Sequence, residues 1–408
     1  MQGPQADKPL KCAVSFAENS AAARTRRDRL LLTGWFLLTR LVLLVAFALA
    51  ARHTARTLPG VLSVFDGTYY HDIAAHGYPT SLPSGANGVG RSTVAFFPLF
   101  PALAAALEAV GLPFTVAASA VTLVSGLAAT LLVHAVVGRY ANPPVALAVA
   151  GLWSVQPLGF VLSLTYSEAL YSALTAGCIL LLMQRRWLLG GVVAAAGSAT
   201  RPTGLVLAVC LLVAVVADRR RLRGAQWWHA AGGLFLAPLG FLGYMAYLRA
   251  HTGRLNAWFV TERQGWGVYT DGGGEVARRF ITYLTHPGQR PAATAVALLL
   301  VLTIAAALLL LHDGAPAPLI ALTLLTLALA VSTRNAYSSI PRFLLPASFP
   351  LLVPIAIRLV QPTARFRRSR LLVRGAAFEA AVATSTALVY AVMVAAGLYA
   401  TMRSQFPF

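Results

Sequence analysis

The sequence predicts an all-α protein that crosses a membrane many times. Of its 408 residues, 58% are hydrophobic and only 11% are charged. Apolar runs of about 20 residues recur along the chain, and this is the length that an α-helix needs to cross a bilayer core. The runs lack the alternating pattern of a lipid-facing β-strand. We therefore expect helical spans, which satisfy their own backbone hydrogen bonds in lipid.

The apolar runs predict eleven transmembrane helices. The first run, 32–51, follows a polar tail, 1–31, that ends in the basic stretch RTRRDR. This run is too long for the apolar core of a signal peptide, so we expect an uncleaved helix. Residues 32–408 are predicted to form one transmembrane domain, with the other spans at 115–137, 144–162, 165–183, 188–199, 203–217, 228–250, 291–311, 317–333, 343–360 and 376–400.

The placement of arginine predicts the orientation of these helices. The formal net charge is +20, and the arginines cluster in short segments such as RRRLRG, 219–224, and RFRRSRLLVR, 365–374. No basic patch interleaves with exposed aromatic residues, so nucleic-acid binding is not predicted. The positive-inside rule places the N-terminus in the cytoplasm and keeps 94–110 at the outer surface as a helix that does not cross. The excess of Ala, Leu and Arg suggests a bacterial plasma membrane.

Two segments are longer than a helix connection requires, and we expect them to be functional loops outside the membrane. The first long loop covers 52–111 and is predicted to contain juxtamembrane helices, and the second long loop covers 251–290. The possible general bases gather in these loops: Asp66, Asp72, Glu262, Asp271 and Glu275. The extracytoplasmic face is therefore where we expect an active site.

The most informative stretch is FDGTYYHDIAAHGY, residues 65–78, just after the first span. Asp66, Tyr69 and Tyr70 are spaced to share one side of a short helix, and Gly67 permits close approach of the backbone. This pattern predicts a catalytic carboxylate at Asp66. The alternative is structural, with Asp66 as the helix cap and the tyrosines as interfacial anchors.

Three charged residues in or beside the spans are further candidates. Glu168, in LTYSEALY, opens a span, where a carboxylate is costly unless it is paired or hydrated. Its alternative role is to stabilise the helix N-terminus after a Ser167 cap. Arg201, in TRPTGL, lies at a helix break, and Arg342, in PRFLLP, begins a span. The planar fork of arginine suits a phosphate, with interfacial snorkelling as the alternative.

Neutral and aromatic side chains near these candidates have properties that suit a sugar. Gln264 and Trp266, in the second long loop, offer a polar amide and a flat face. Tyr166 lies two residues before Glu168.

No metal site is predicted from spacing. His71, Asp72 and His76 resemble metal ligands in type and spacing, but a solvated helix face explains them more simply. The three cysteines lack a paired spacing, and we expect no disulfide.

Taken together and in this order, FDGTYYHDIAAHGY, FFPLFP (96–101), LTYSEALY and TRPTGL resemble the PIG-V family of mannosyltransferases, which belongs to the membrane-embedded GT-C glycosyltransferase superfamily. The resemblance covers roughly residues 35–350. It implies a GT-C fold, a polyprenyl-phosphate sugar donor that is usually mannose, and a catalytic Asp in the first outer loop. That Asp maps to Asp66.

The expected reaction is an inverting transfer of mannose to an acceptor hydroxyl on a glycolipid, glycan or protein. Asp66 would take the proton of that hydroxyl, while Arg201 and Arg342 would hold the donor phosphate. The side chains expected to position sugar and acceptor are Tyr69, Tyr70, Tyr166, Glu168, Gln264 and Trp266.

Three alternatives remain open. One is a transporter or flippase of a lipid-linked sugar, although paired repeats and midplane polar groups, which are typical of transporters, are not seen in the sequence. Another is a structural subunit without chemistry, in which Asp66 would be replaceable. The third is a divalent metal held by Asp66 and Glu168, as in some relatives of the superfamily. No other cofactor is expected.

Overall fold

Helices make up almost all of the regular structure. A computed structural model describes residues 8–53, 56–86, 88–156, 159–288 and 290–360. The all-α class is confirmed. In chain order the helices are α1 (Lys8–His53), α2 (Leu58–Leu62), α3 (Asp66–His76), α4 (Leu99–Glu108), α5 (Phe114–Val137), α6 (Pro143–Ser154), α7 (Glu168–Met183), α8 (Trp187–Thr200), α9 (Leu205–Asp218), α10 (Ala225–Leu236), α11 (Leu239–Thr252), α12 (Ala257–Val260), α13 (Gly274–Thr285), α14 (Pro291–His312), α15 (Ala317–Ser332), α16 (Ile340–Leu344) and α17 (Phe349–Val360).

Four helical stretches within the described residues are long and apolar enough to cross a membrane: Ala22–His53, Phe114–Val137, Ala225–Thr252 and Pro291–His312. A bent pair, Tyr337–Ala347 with Phe349–Val360, would make a fifth. Six shorter apolar helices of 10–17 residues accompany them. The total of eleven spans therefore stays a prediction, and the predicted span 376–400 lies outside the described residues.

The core lies among α5, α6, α7, α8 and α9. Helix α7 packs against both α5 and α8. Fully buried alanines, such as Ala169, Ala176 and Ala194, let these helices approach closely, as small residues do in membrane bundles. The buried Trp153 connects this core to the α16–α17 region, because its Nε1 donates a hydrogen bond to the Leu345 carbonyl at 3.1 Å.

Proline interrupts two of the predicted spans. In the predicted span 228–250, α10 ends at Leu236 and α11 begins after Pro238. The predicted single helix 343–360 is wrong in shape, since the chain bends by 70° between the segment that ends at Ala347 and α17. Proline removes a backbone donor and disfavours helix at the residue before it, which explains both interruptions.

The predicted break at Arg201 is confirmed. Helix α8 ends at Thr200, and Arg201 adopts an extended conformation with φ −153° and ψ 150°. A 3₁₀ turn, Pro202–Gly204, then leads into α9. The arginine side chain therefore projects from an irregular stretch of backbone between two apolar helices.

The region 94–110, predicted not to cross, contains only the short helix α4. Its 10 residues would span about 15 Å, half of a bilayer core of roughly 30 Å. Helix α4 packs against α3 and α5. This length agrees with the predicted juxtamembrane helix.

The described parts of both long loops contain short regular elements. In the first, β1 (Ser84–Gly85) and β2 (Gly88–Val89) form an antiparallel hairpin. In the second, a π-helix, Thr261–Trp266, follows α12 and contacts β2. Strand β3 (Tyr269–Thr270) then pairs with β4 (Thr333–Arg334) after α15. The loops thus pack on each other and on the bundle.

The chain between α6 and α7 is not the continuous helix that 144–162 predicted, because α6 ends at Ser154 and only a 3₁₀ turn, Gly159–Ser163, follows. Arg40, buried in α1, contacts this segment. Its guanidinium donates to the Ser154 carbonyl at 2.6 Å, and also to the Gly159 carbonyl and the Ser163 hydroxyl. A buried arginine therefore binds backbone groups that the helix end leaves unpaired.

We predict that Arg40→Met lowers the stability of the folded protein by about 2–4 kcal/mol, because buried carbonyl acceptors lose their donors. The measurement is the melting temperature in detergent. Arg52→Met, which removes an exposed arginine of the same helix, is the matched control and should leave the melting temperature unchanged. Equal melting temperatures for the two variants would contradict the role of Arg40.

Candidate functional site

Asp66 is the first residue of α3, and its carboxylate contacts the Arg342 guanidinium. No side-chain hydrogen bond caps this helix, so the capping alternative for Asp66 is wrong. Close packing fixes the position of the helix start. A Cβ on Gly67 would lie 2.4 Å from the Thr165 hydroxyl oxygen, which explains why a glycine follows Asp66. The Leu62 carbonyl accepts hydrogen bonds from both the backbone and the hydroxyl of Thr165.

Glu168 is fully buried at the start of α7. Its Oε1 lies 2.6 Å from Arg201 Nη1 and 2.7 Å from Arg342 Nε. Neither contact has hydrogen-bond alignment, and Oε2 has no hydrogen-bond partner among the described residues. Ser167 precedes the helix but makes no capping hydrogen bond. The alternative in which Glu168 follows a Ser167 cap therefore lacks that cap.

The four charged groups form one chain in the order Asp66, Arg342, Glu168, Arg201. They come from α3, α16, α7 and the break between α8 and α9, and their formal charges sum to zero. A buried carboxylate is tolerated when it is paired, and removing one partner of such a pair is strongly destabilising. The structure therefore brings together the predicted catalytic carboxylate and both predicted phosphate-binding arginines.

Ser167 and Tyr70 extend this cluster. The buried Tyr70 hydroxyl donates to Ser167 Oγ at 2.8 Å, and Arg201 Nη1 donates to the same oxygen at 3.2 Å. Burial raises the pKa of Tyr70 well above its ordinary value, so that its hydroxyl stays a protonated donor. Tyr166, also buried, lies beneath Arg342, whose guanidinium carbon is 5.3 Å from the ring centre. Tyr70 and Tyr166, two of the three tyrosines predicted for the site, thus lie at the charged cluster.

An aromatic wall adjoins the charged cluster. The Tyr69 ring stacks on Phe96 at 4.7 Å between centres and meets Trp266 edge-on at 5.3 Å. The Arg91 guanidinium lies 4.7 Å from the centre of the Trp266 ring. Burial is the main cause that raises the pKa of Tyr69. Because Tyr69 is three residues after Asp66 on α3, the wall stands beside the carboxylate.

Gln264, predicted to position the substrate, contacts the hairpin. Its Oε1 accepts a hydrogen bond from the Val89 backbone at 2.9 Å and packs on Gly88. Within the described ranges, its side chain makes no hydrogen bond to the charged cluster. The structure places Gln264 between the hairpin and the π-helix.

Glu262 is a carboxylate to which the sequence assigned no specific role. It lies partly buried in the π-helix, a backbone form often found at functional sites. Burial, reinforced by the charge of Asp66 and opposed by Arg201, raises its pKa to about 8. Its side chain has no ion-pair or hydrogen-bond partner among the residues that the structure describes. Its position in the second long loop was visible in the sequence, but its proximity to Asp66 was not.

The alternative of a metal ion held by Asp66 and Glu168 conflicts with the position of the Arg342 guanidinium. Arg342 contacts both Asp66 and Glu168, and so occupies the position that a shared ion would take. Within the described ranges, no three His, Cys, Asp or Glu side chains are grouped as a metal site. The exposed His76 pairs with Asp72 at 3.0 Å.

No protein-family model matches this sequence, and a comparison with curated proteins finds no match. Among solved structures, the chain is similar to ArnT from Cupriavidus metallidurans bound to undecaprenyl phosphate, with 14% identity and a TM-score of 0.48. It is also similar to an Archaeoglobus fulgidus oligosaccharyltransferase tethered to an acceptor peptide, with 13% identity and a TM-score of 0.47. A third similar structure is the archaeal oligosaccharyltransferase AglB from the same organism, in complex with an inhibitory peptide and a dolichol-phosphate, with 11% identity and a TM-score of 0.47.

These alignments cover 82%, 88% and 87% of this chain. They cover 61%, 54% and 56% of the respective chains of known structure. The chain therefore spans little more than half the length of the proteins that it resembles in shape.

Proposed function

We propose that this protein is an inverting glycosyltransferase that moves a mannosyl residue from a polyprenyl-phosphate donor to an acceptor hydroxyl on the extracytoplasmic face of a membrane. The observation that carries this proposal is the chain of charges Asp66, Arg342, Glu168, Arg201, in which Glu168 is buried and the other three side chains are partly exposed. It combines a carboxylate, which can accept a proton, with two arginines, which can bind a phosphate. The mannose donor rests on the sequence resemblance.

Asp66 is the proposed general base. Its Oδ2 contacts Arg342, which leaves Oδ1 to receive the proton of the acceptor hydroxyl. The acceptor oxygen then attacks the anomeric carbon from the face opposite the phosphate, and the bond from that carbon to the phosphate oxygen breaks. The bonding pair leaves with the polyprenyl phosphate. Attack from the opposite face inverts the anomeric configuration. One carboxylate suffices here, because the phosphate is a weak base and leaves without a general acid.

Arg201 and Arg342 are proposed to bind the donor phosphate while remaining paired with Glu168. Arginine carries five N–H donors. The contacts of Arg201 to Glu168 and Ser167 use Nη1, and those of Arg342 use Nε and Nη2. The remaining donors suit the phosphate, whose negative charge grows as the sugar departs, so that these contacts strengthen in the transition state.

The aromatic wall is proposed to accept the sugar. Tyr69 and Trp266 present ring edges and faces next to Asp66, and the Trp266 Nε1 is buried without a hydrogen-bond partner among the described residues. A sugar hydroxyl would satisfy this donor. Tyr70 is proposed to position Arg201 through their shared partner Ser167, and Tyr166 to position Arg342 through its ring.

We predict that Asp66→Asn lowers the transfer rate by about 10²–10⁴-fold, because the amide cannot accept the proton. The measurement is transfer from polyprenyl-phosphate mannose in reconstituted membranes. Asp72→Asn, an exposed carboxylate of the same helix, is the matched control and should keep normal transfer. Normal transfer by Asp66→Asn would contradict the base, and transport of an intact lipid-linked sugar without transfer would support the transporter instead.

Arg201→Lys keeps a positive charge beside Glu168 but removes the planar guanidinium with its paired N–H donors. We expect it to raise the donor KM roughly tenfold or more, because lysine cannot replace a planar set of donors. Arg263→Lys, at an exposed arginine of the second long loop, should leave the donor KM unchanged. An unchanged donor KM in Arg201→Lys would exclude Arg201 from phosphate binding.

Glu262 is predicted to make stability depend on pH. Its pKa is about 8 in the folded protein and 4.5 ordinarily, so between these values the folded state holds a proton that the unfolded state has lost. Folding stability should therefore fall as the pH rises from 5 to 8. The measurement is the melting temperature in detergent between pH 5 and pH 8. Its decrease with rising pH should be smaller in Glu262→Gln than in the unaltered protein, whereas Glu108→Gln should show the same decrease as the unaltered protein. An identical pH dependence in Glu262→Gln would contradict the raised pKa.

A further inference from the structure

A polar pocket of about 460 Å³ lies beside the charged cluster, between the β1–β2 hairpin, the end of α11 and the π-helix. None of the four residues in the Asp66 chain of charges lines this pocket. The polar side chains that line it are Thr80, Ser81, Ser84, Thr252, Arg254 and Gln264.

Hydrogen bonds between distant segments hold the walls of the pocket. Gln264 Oε1 accepts from the Val89 backbone at 2.9 Å, which ties the π-helix to the hairpin. His251 Nε2 lies 3.0 Å from the Tyr78 carbonyl, which ties the end of α11 to the chain just before the hairpin. The pocket is thus formed by three segments whose relative positions are set before a ligand binds.

The lining suits an oxyanion. It contains hydroxyls, an amide and one guanidinium, and no carboxylate or aromatic ring. The side chains of Thr80, Ser81, Ser84 and Arg254 are exposed at the pocket mouth, and within the described ranges they have no hydrogen-bond or ion-pair partner. A guanidinium that shares a pocket with hydroxyl donors matches the oxygens of a phosphate, whereas a neutral sugar would be expected to meet aromatic faces such as those at Trp266.

The pocket adjoins the proposed reaction site through one short element. Gln264 in its wall is two residues from both Glu262 and Trp266. Trp266 contacts Tyr69, which lies on the same helix as Asp66. A ligand bound in the pocket would therefore extend along the π-helix toward Asp66.

We propose that this pocket binds a phosphate group of the acceptor substrate, with Arg254 as the cationic anchor, while the acceptor hydroxyl reaches Asp66. This inference rests on the proposed glycosyltransferase function and adds the chemical class of the acceptor. The phosphate would belong either to a lipid headgroup or to a soluble glycan. Both sources present the same oxygens to Arg254.

The test measures equilibrium binding to the full-length protein in detergent, using inorganic phosphate and the short-chain lipid dihexanoyl phosphatidylglycerol as probes. Arg254→Ala is compared with Arg249→Ala, which removes an exposed arginine of α11 that does not line the pocket. Phosphate bound near Arg201 contributes equally to both variants and cancels. We expect the dissociation constant of at least one probe to rise roughly tenfold in Arg254→Ala only, because a charge-assisted hydrogen bond is lost.

Weaker binding of phosphatidylglycerol alone would identify a lipid-linked acceptor, and weaker binding of both probes would confirm the shared phosphate chemistry. Weaker binding of inorganic phosphate alone would indicate a soluble phosphorylated glycan. Equal dissociation constants in the two variants, or no saturable binding, would overturn the proposal. Failure of the proposed function is distinguishable, because it would appear as absence of transfer by the unaltered protein.

Discussion

The buried carboxylate of Glu168 is the charge around which the site is arranged. Removing a carboxylate from water costs several kcal/mol unless cations neutralise it, and two arginines from distant parts of the sequence do so. Arg201 and Arg342 must therefore both reach the start of α7. Once Arg342 is there, its remaining N–H groups reach Asp66. One buried charge thus fixes the relative positions of four elements.

Broken helices make this arrangement possible. Each of the two arginines lies next to a proline. Arg201 is in the extended break before Pro202, and Arg342 is in the short helix α16, which follows a 3₁₀ turn and has Pro341 in its first turn. Irregular backbone in a membrane bundle is tolerated where protein rather than lipid surrounds it. Arg40 provides that environment for the segment that leads to Glu168, because it binds the carbonyls released at the end of α6.

The charge balance of the cluster bears on the proposed chemistry. With both carboxylates ionised and both arginines protonated, the cluster is neutral, so a donor phosphate adds one unmatched negative charge. A Glu262 that stays protonated near neutral pH avoids adding another. In the proposed reaction the phosphate becomes more negative as the sugar leaves, and the donors of Arg201 and Arg342 would bind it more strongly at that moment.

The sequence by itself determined the helical class, the two long loops, the break at Arg201 and the identity of the charged residues. These follow from local causes: apolar length, the missing amide proton of proline, and the cost of placing a carboxylate in an apolar helix. It also indicated that Asp66 and Tyr70 share a helix face. What it could not determine were the helix ends at Ser154 and near Ala347, where the chain turns within apolar runs that look continuous.

Only the tertiary structure decided which charges meet. Arg342 is 276 residues from Asp66, and no spacing rule connects them. The same holds for Arg40 with the α6 end, for Glu262 with Asp66 and for Gln264 with the hairpin. Ion pairs and hydrogen bonds act over a few ångströms, while the sequence separations are set by how whole helices pack. For that reason residue type was predictable from the sequence, and partnership was not.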